Sequence, residues 1–214
     1  MPGIQSKTFF LIMLLGSTVF LTQACSSGSV KEGMPLPELT FAHLKPVELN
    51  VAEIKTEQIF KPDQEYQKVI SQMPTSPNSA VLRYLDQRYV AAGNEGLLII
   101  QIDDSTVTRE ELEPKGRFSR LIGINKKQKY NALVRLNVRF IRSTGSPAST
   151  SSVTARRTLT MPQNISLAEK DTRLLEMIED LVDEIDRVMI QSFDQTFGII
   201  NNPEKVRSAA PEMR

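Results

Sequence analysis

The chain of 214 residues has one cysteine, one histidine and no tryptophan, and aromatic residues make up only 6% of it. Each scarcity excludes something. One cysteine cannot close an intramolecular disulfide, so no disulfide framework holds this fold. The one histidine, His43, lies in a proline-containing stretch near the N-terminus. No zinc-type ligand set can be built on it, and Ser-His-Asp chemistry lacks a base held near a nucleophile. A glycine-rich phosphate loop is absent too. Asp103 and Asp104 are adjacent, and adjacent strand residues point to opposite faces, which spoils them as a pair for general acid and base work. The sequence predicts no enzyme, no metal and no cofactor. With no tryptophan and few aromatics, a sheet also lacks the stacking platform that single-stranded nucleic acid needs, so no nucleic-acid partner is expected.

Long apolar runs are missing as well. Thr8 to about Leu21 is apolar for about fourteen residues, short of the roughly twenty that span a bilayer core, and Gly16, Ser17 and Thr18 dilute its centre. A spanning anchor is the weaker alternative. Lys7 ahead of this run and Ala24 behind it make residues 1–24 a signal peptide. Leu21-Thr22-Gln23-Ala24-Cys25 resembles the bacterial lipobox in the small residue before its cysteine, although the leucine stands at 21 instead of 22. An ordinary secretory signal with a cysteine nearby is the second alternative. Cys25 is otherwise an unpaired thiol in an oxidising compartment, which favours lipidation. Acyl chains such as palmitate on Cys25 anchor a protein with about 0.8 kcal/mol per buried methylene. Ser26, where an aspartate is absent, resembles the Gram-negative pattern of export to the outer membrane, facing the periplasm.

Charge is nearly balanced, 26 Lys plus Arg against 25 Asp plus Glu, but its distribution is not. No acidic residue lies between Glu113 and Glu169, while Lys115, Arg117, Arg120, Lys126, Lys127, Lys129, Arg135, Arg139, Arg142, Arg156 and Arg157 all do. The molecule is polarised.

Residues 25–46 carry Ser, Gly and Pro and read as a lipidated tether, ahead of a domain over 47–200 and a flexible tail over 201–214. Val47, Leu49 and Val51 alternate with Glu48 and Asn50, predicting a first strand to about Thr56 with a bend near Ala52. Lys61 to Ser76 reads as a loop. Ser76 as N-cap and Pro77 as first residue start a helix that Gly93 ends in a left-handed conformation. Leu97 to Ile102 begins a central strand reaching about Val107. Tyr130 to Phe140 alternates apolar with Asn131, Arg135, Asn137 and Arg139, a half-buried strand. Val153 to Met161 makes a fourth strand. Ser166 and Glu169 form a capping box for a long helix whose stripe is Leu174, Ile178, Leu181, Ile185 and Val188, reaching about Phe193. The order strand-helix-strand-strand-strand-helix predicts an α+β two-layer sandwich, with a mixed four-stranded sheet and both helices on one face.

Two regions are candidate sites. Arg135 and Arg139 face away from the apolar row, and Arg156 joins them from the next strand, forming an exposed guanidinium surface for an anion or a partner. The alternative is compensation by the acidic final helix, for which Arg157 is the expected partner. The second is the connection from Thr108 to Lys129, where Phe118, Leu121 and Ile122 mix with Arg120, Lys126 and Lys127. That composition suits an interface with a membrane or a hydrophobic groove, or equally a short helix over a sheet edge.

The tether, the strand Pro46 to Ile54, and Ser76 to Gly93 followed by an apolar strand resemble a family of small, largely uncharacterised Gram-negative envelope lipoproteins. The element order is also similar to that of the lipopolysaccharide-assembly lipoprotein that plugs an outer-membrane barrel, and of auxiliary lipoproteins of lipid-transport systems. The likeness implies an accessory or scaffold for an outer-membrane protein or an envelope assembly or transport complex, with an outer-membrane protein or anionic lipid as partner. A lipid-binding transport component and a purely structural lipoprotein remain alternatives.

Overall fold

The computed structural model describes residues 39–41, 43–113, 126–143 and 145–207. Cys25 and most of the tether lie outside them, as do Phe118, Arg120, Leu121 and Ile122 and the tail from 208 on. In chain order the elements are β1 (Val47–Leu49), β2 (Glu53–Gln58), α1 (Gln64–Ile70), α2 (Pro77–Arg88), β3 (Tyr89–Ala91), β4 (Leu97–Leu112), β5 (Lys127–Ile141), β6 (Ser149–Pro162), α3 (Leu167–Gln191) and α4 (Pro203–Arg207), with a π-helical turn, Ser192–Phe197, continuing α3.

The fold is α+β, and its main sheet is mixed, in the order β2-β4-β5-β6. β2 runs parallel to β4, as a crossover through α1 and α2 requires, and β4, β5 and β6 are successively antiparallel. Both long helices cover one face. Along β5, Tyr130, Ala132, Val134, Leu136, Val138 and Phe140 are all buried in the core, together with Leu174, Ile178, Leu181 and Ile185 of α3. Each of the Val, Leu, Ile and Phe side chains removed from water here contributes about 1.5–3 kcal/mol. The same alternation sends Arg135 and Arg139 to the opposite face, which no described helix covers.

Several expectations change. The first strand is two: after Leu49 the chain turns at Asn50–Ala52, so β1 joins β3 in a small parallel sheet and β2 joins the large one. The C-terminal segment extends the small sheet, for Asn50 N–H donates to the Ile199 carbonyl at 2.7 Å and Asn201 N–H to the Glu48 carbonyl at 3.1 Å. The expected loop over Lys61 to Ser76 holds α1, capped by Asp63, whose carboxylate accepts from Tyr66 N–H at 2.7 Å. α2 starts as predicted at Ser76 and Pro77 but stops at Arg88, because Tyr89 is extended and enters β3. Gly93 is therefore not a left-handed cap. A Cβ there would stand 2.6 Å from the Asn50 carbonyl carbon and the Val51 nitrogen, so close backbone approach is what requires glycine.

The predicted link from Thr108 to Lys129 is shorter, since β4 runs on to Leu112 and β5 begins at Lys127. The capping box is half made. Ser166 accepts from Glu169 N–H at 3.2 Å, but the Glu169 carboxylate reaches Arg173 at 2.7 Å. α3, by contrast, does end at a left-handed glycine, Gly198, with φ of 62°, behind the π-helical turn. In the expected tail, Pro203–Arg207 is helical.

A buried polar knot ties the helices to the entering chain. Asp186 of α3 accepts from Arg88 Nε at 2.7 Å and from the Tyr84 hydroxyl at 2.7 Å. The Tyr84 hydroxyl lies 2.5 Å from that of Tyr89. A carboxylate only accepts, so Tyr84 donates to Asp186 and accepts from Tyr89. Arg88 Nη1 also donates to the Lys45 carbonyl, Arg83 Nη1 to the Leu39 carbonyl at 2.6 Å, and Gln87 accepts from Phe41 N–H at 2.9 Å. Three side chains of α2 thus clamp the segment that arrives from the N-terminus.

Candidate functional site: the open face of the sheet

The face turned away from the helices is built by alternate residues of four strands. Reading across the register, Lys55, Ile99, Arg139 and Thr150 form one row; Glu57, Gln101, Asn137 and Ser152 form the next; Asp104, Arg135 and Thr154 form a third. Leu133 and Arg156 follow, and the Glu110, Lys129 and Thr160 row lies nearer the hairpin end. The three predicted arginines, Arg135, Arg139 and Arg156, thus share one surface.

That surface is not uniformly cationic. Arg139 Nη2 is 3.7 Å from Glu57, Lys129 is 3.9 Å from Glu110 and Lys55 is 3.5 Å from Glu53. Exposed pairs of this kind are worth about 0–1 kcal/mol and leave their members free to rearrange. Arg135 stands opposite Asp104 in register, without an ion-pair contact to it. Arg135 and Arg156 make no ion pair among the described residues, and both are exposed.

Asp103 and Asp104 depart from the alternation rule, for a physical reason. The β4–β5 register shifts between Ile102 and Asp104, so Asp103 is an extra residue in a bulge. Before it Leu98, Ile100 and Ile102 face the core; after it Ser105 and Val107 do. Both aspartates consequently turn to the open face, and Gln101 Nε2 donates to Asp103 at 3.0 Å. The acids of this face, Glu53, Glu57, Asp103, Asp104 and Glu110, stand on β2 and β4. The β5 and β6 half carries Lys127, Lys129, Arg135, Arg139 and Arg156 and no acid. The acids of the face are thus confined to its β2 and β4 half, which also carries Lys55, while the β5 and β6 half is basic.

Of the predicted interface loop, Lys126 and Lys127 are described. Lys126 lies 2.8 Å from Glu113, whose hydrogen bond and charge raise the ammonium pKa, and Lys127 stands exposed opposite Leu112. They form the base of the connection whose Phe118, Arg120, Leu121 and Ile122 lie outside the described residues. Arg157 pairs with Glu184 on α3, as the compensating alternative expected for that residue. Glu53 and Glu57 of β2 went unassigned in the sequence because an edge strand this polar, Glu53–Gln58, shows no apolar row by which to orient it.

Elsewhere, a cleft of about 60 Å³ lies between Lys45, Pro46, Val47, Arg88, Ile200 and Val206. Among the described residues no group of three His, Cys, Asp or Glu is placed to hold a metal, and no helix is long and apolar enough to cross a membrane.

No family model matches the chain, and no curated protein matches it. Among solved structures, the chain is similar to a minor lipoprotein from Acinetobacter baumannii at 12% identity and a TM-score of 0.39, over 69% of this chain and 95% of that one. It is also similar to the rare lipoprotein B from Shewanella oneidensis at 15% identity and a TM-score of 0.35, over 67% of this chain and 95% of that one. Likeness at this level assigns no residue of this chain a role.

Proposed function

We propose that the chain is a lipid-anchored envelope protein of the outer membrane, facing the periplasm, which acts without catalysis as an accessory or scaffold for an outer-membrane protein or an envelope assembly. The observation that carries this reading is the open sheet face: four strands wide, polar, covered by no described element and divided by sign of charge. An anchored domain with one bare, charge-patterned surface has what a scaffold needs, which is an interface and not a cavity. The split surface fits a partner of opposite pattern, because complementary potentials steer encounter and fix register more than they add affinity.

The anchor is Cys25. Leu39, where α2 clamps the chain, lies fourteen positions further on, a stretch that fully extended reaches at most ~50 Å. A carrier of acyl chains would need an enclosed apolar cavity of roughly 300–1,000 Å³; the cleft beside Arg88 measures about 60 Å³, and the hollow of about 480 Å³ beside Leu159 is open to solvent and lined mostly by the polar Glu169, Thr172, Arg173 and Glu176. Crosslinking in intact cells from a photoreactive residue at position 137, between Arg135 and Arg139, tests the proposal. Capture of one outer-membrane protein supports it, whereas recovery of lipid alone or of nothing contradicts it.

A further inference from the structure

The sheet has two edges, and they differ. β2 is six residues long and exposes Glu53, Lys55 and Glu57, the short and charged edge that discourages pairing. β6 is fourteen residues long, uninterrupted by proline until Pro162, and among the described residues pairs only with β5. At roughly 3.3 Å per residue it presents an edge of about 46 Å. No other described segment makes a backbone hydrogen bond to residues 149–162.

Two features make this edge a site. Its open-face side chains, Thr150, Ser152, Thr154, Arg156, Thr158 and Thr160, are exposed, and they carry hydroxyls and one guanidinium but no acid. Arg156 lies diagonal to Arg135, through the Arg135–Thr154 and Leu133–Arg156 pairs, and neither guanidinium has an ion-pair partner among the described residues. On the opposite face, α3 runs beside β6 and leaves a shallow depression lined by Leu159 of the strand and Glu169, Thr172, Arg173 and Glu176 of the helix. An edge strand with a helix flank alongside offers backbone bonds from one and a seat for alternate side chains from the other.

We propose that the β6 edge and the adjoining flank of α3 take up an extended, acidic segment of a partner protein as a fifth strand of the sheet. On that strand, alternate residues divide the work. Carboxylates on the open face meet Arg156 and Arg135, and an apolar side chain on the other face rests on Leu159. A second copy of this chain is the wrong occupant. Two-fold antiparallel pairing centred on the middle of β6 gathers Arg156 and Arg157 of both copies, and like charges across strands destabilise. Arg157 adds a guard against indiscriminate pairing, since its Nη1 donates to the Arg156 carbonyl at 2.8 Å while the same guanidinium pairs with Glu184. This inference deepens the scaffold reading and rests on it.

The test uses the full chain purified in detergent and a blocked ten-residue peptide alternating valine with glutamate. Comparators are the same peptide with lysine for glutamate, and the glutamate peptide N-methylated on every second amide. Amide hydrogen exchange is expected to slow along β6 and not along β2, with no binding of the lysine or N-methylated peptide. Arg156→Glu is expected to weaken binding at least tenfold with the fold unchanged. Absence of protection along β6, protection at β2, or equal binding of the N-methylated peptide would overturn the proposal. Capture at position 137 in cells without β6 protection sinks the edge site alone. Peptide binding without cellular capture sinks the scaffold reading and leaves the edge site standing.

Discussion

Arg88 and Asp186, 98 positions apart in the chain, meet in an ion pair of 2.7 Å whose side chains are 9% and 17% exposed. Burial works against the Arg88 charge, but the hydrogen bonds and charge of Asp186 outweigh it and raise the guanidinium pKa further. The pair joins the end of α2 to α3 and, through the Lys45 carbonyl, to the chain arriving from the anchor side. It holds the two helices in the positions that leave the opposite sheet face bare.

Removing one partner leaves the other buried and uncompensated, which costs about 3–5 kcal/mol. Asp186→Ala is therefore expected to lower stability by about that amount in urea unfolding. Asp186→Asn, which keeps an acceptor for Tyr84, should cost less. Equal stability of Asp186→Ala and the natural chain would show that the knot is not structural.

Burial raises the pKa of both Tyr84 and Tyr89 well above the usual 10, reinforced in Tyr84 by the Tyr89 hydroxyl and in both by the Asp186 charge. In the unfolded chain both tyrosines ionise near pH 10, while in the folded chain they keep their protons. Above that pH the folded state binds more protons than the unfolded state, so stability falls as pH rises. Melting temperatures measured from pH 8 to 11 should hold up to about pH 10 and then drop. Tyr89→Phe, which removes one of the two groups, should shallow that drop.

Gly93→Ala tests the turn that splits the first strand. The new Cβ has no room against Asn50 and Val51, and overpacking of this kind costs about 1–3 kcal/mol. Gly145→Ala is the comparison, for nothing lies within 4 Å of a Cβ there, although its φ of 87° still disfavours a side chain. Loss at Gly93 is expected to show as faster amide exchange in β1 and β3, and loss at Gly145 only in its own turn.

Anchoring is tested at Cys25. Cys25→Ser should move the chain from the membrane fraction to the soluble fraction of the periplasm, and the natural chain should carry an acyl mass on its N-terminal peptide. Membrane retention of the serine variant would make the signal segment, not a lipid, the anchor.

The parts of this fold that were legible in the sequence are those where one periodicity runs unbroken. β5 alternates from Tyr130 to Phe140, and α3 repeats from Leu174 to Ile185, so both faces could be read directly. Where the period changes, pattern reading fails. Val47 to Thr56 looks like one bent strand because Asn50 and Ala52 are ordinary residues, and only the tertiary approach of Gly93 shows that the chain leaves one sheet for another. Tyr89 fits the α2 stripe, yet its hydroxyl is needed beside Tyr84, and the chain extends there. The Asp103 bulge inserts one residue, which no alternation rule anticipates, and it brings to the open face two acids that reading by alternation separates. The clustering of Arg135, Arg139 and Arg156 was legible from strand phase alone. The acids that share their face were not, because Glu57 and Asp104 come from strands whose register depends on the whole sheet.

The most direct test of the scaffold account compares crosslinking from position 137 in intact cells expressing the natural chain and the Arg135→Glu, Arg139→Glu double variant. Both side chains lie outside the core, so the variant is expected to fold, which its circular dichroism and melting temperature check. The account predicts one outer-membrane protein captured by the natural chain and lost from the folded double variant. Undiminished capture by the double variant would contradict it and remove the open sheet face from the mechanism.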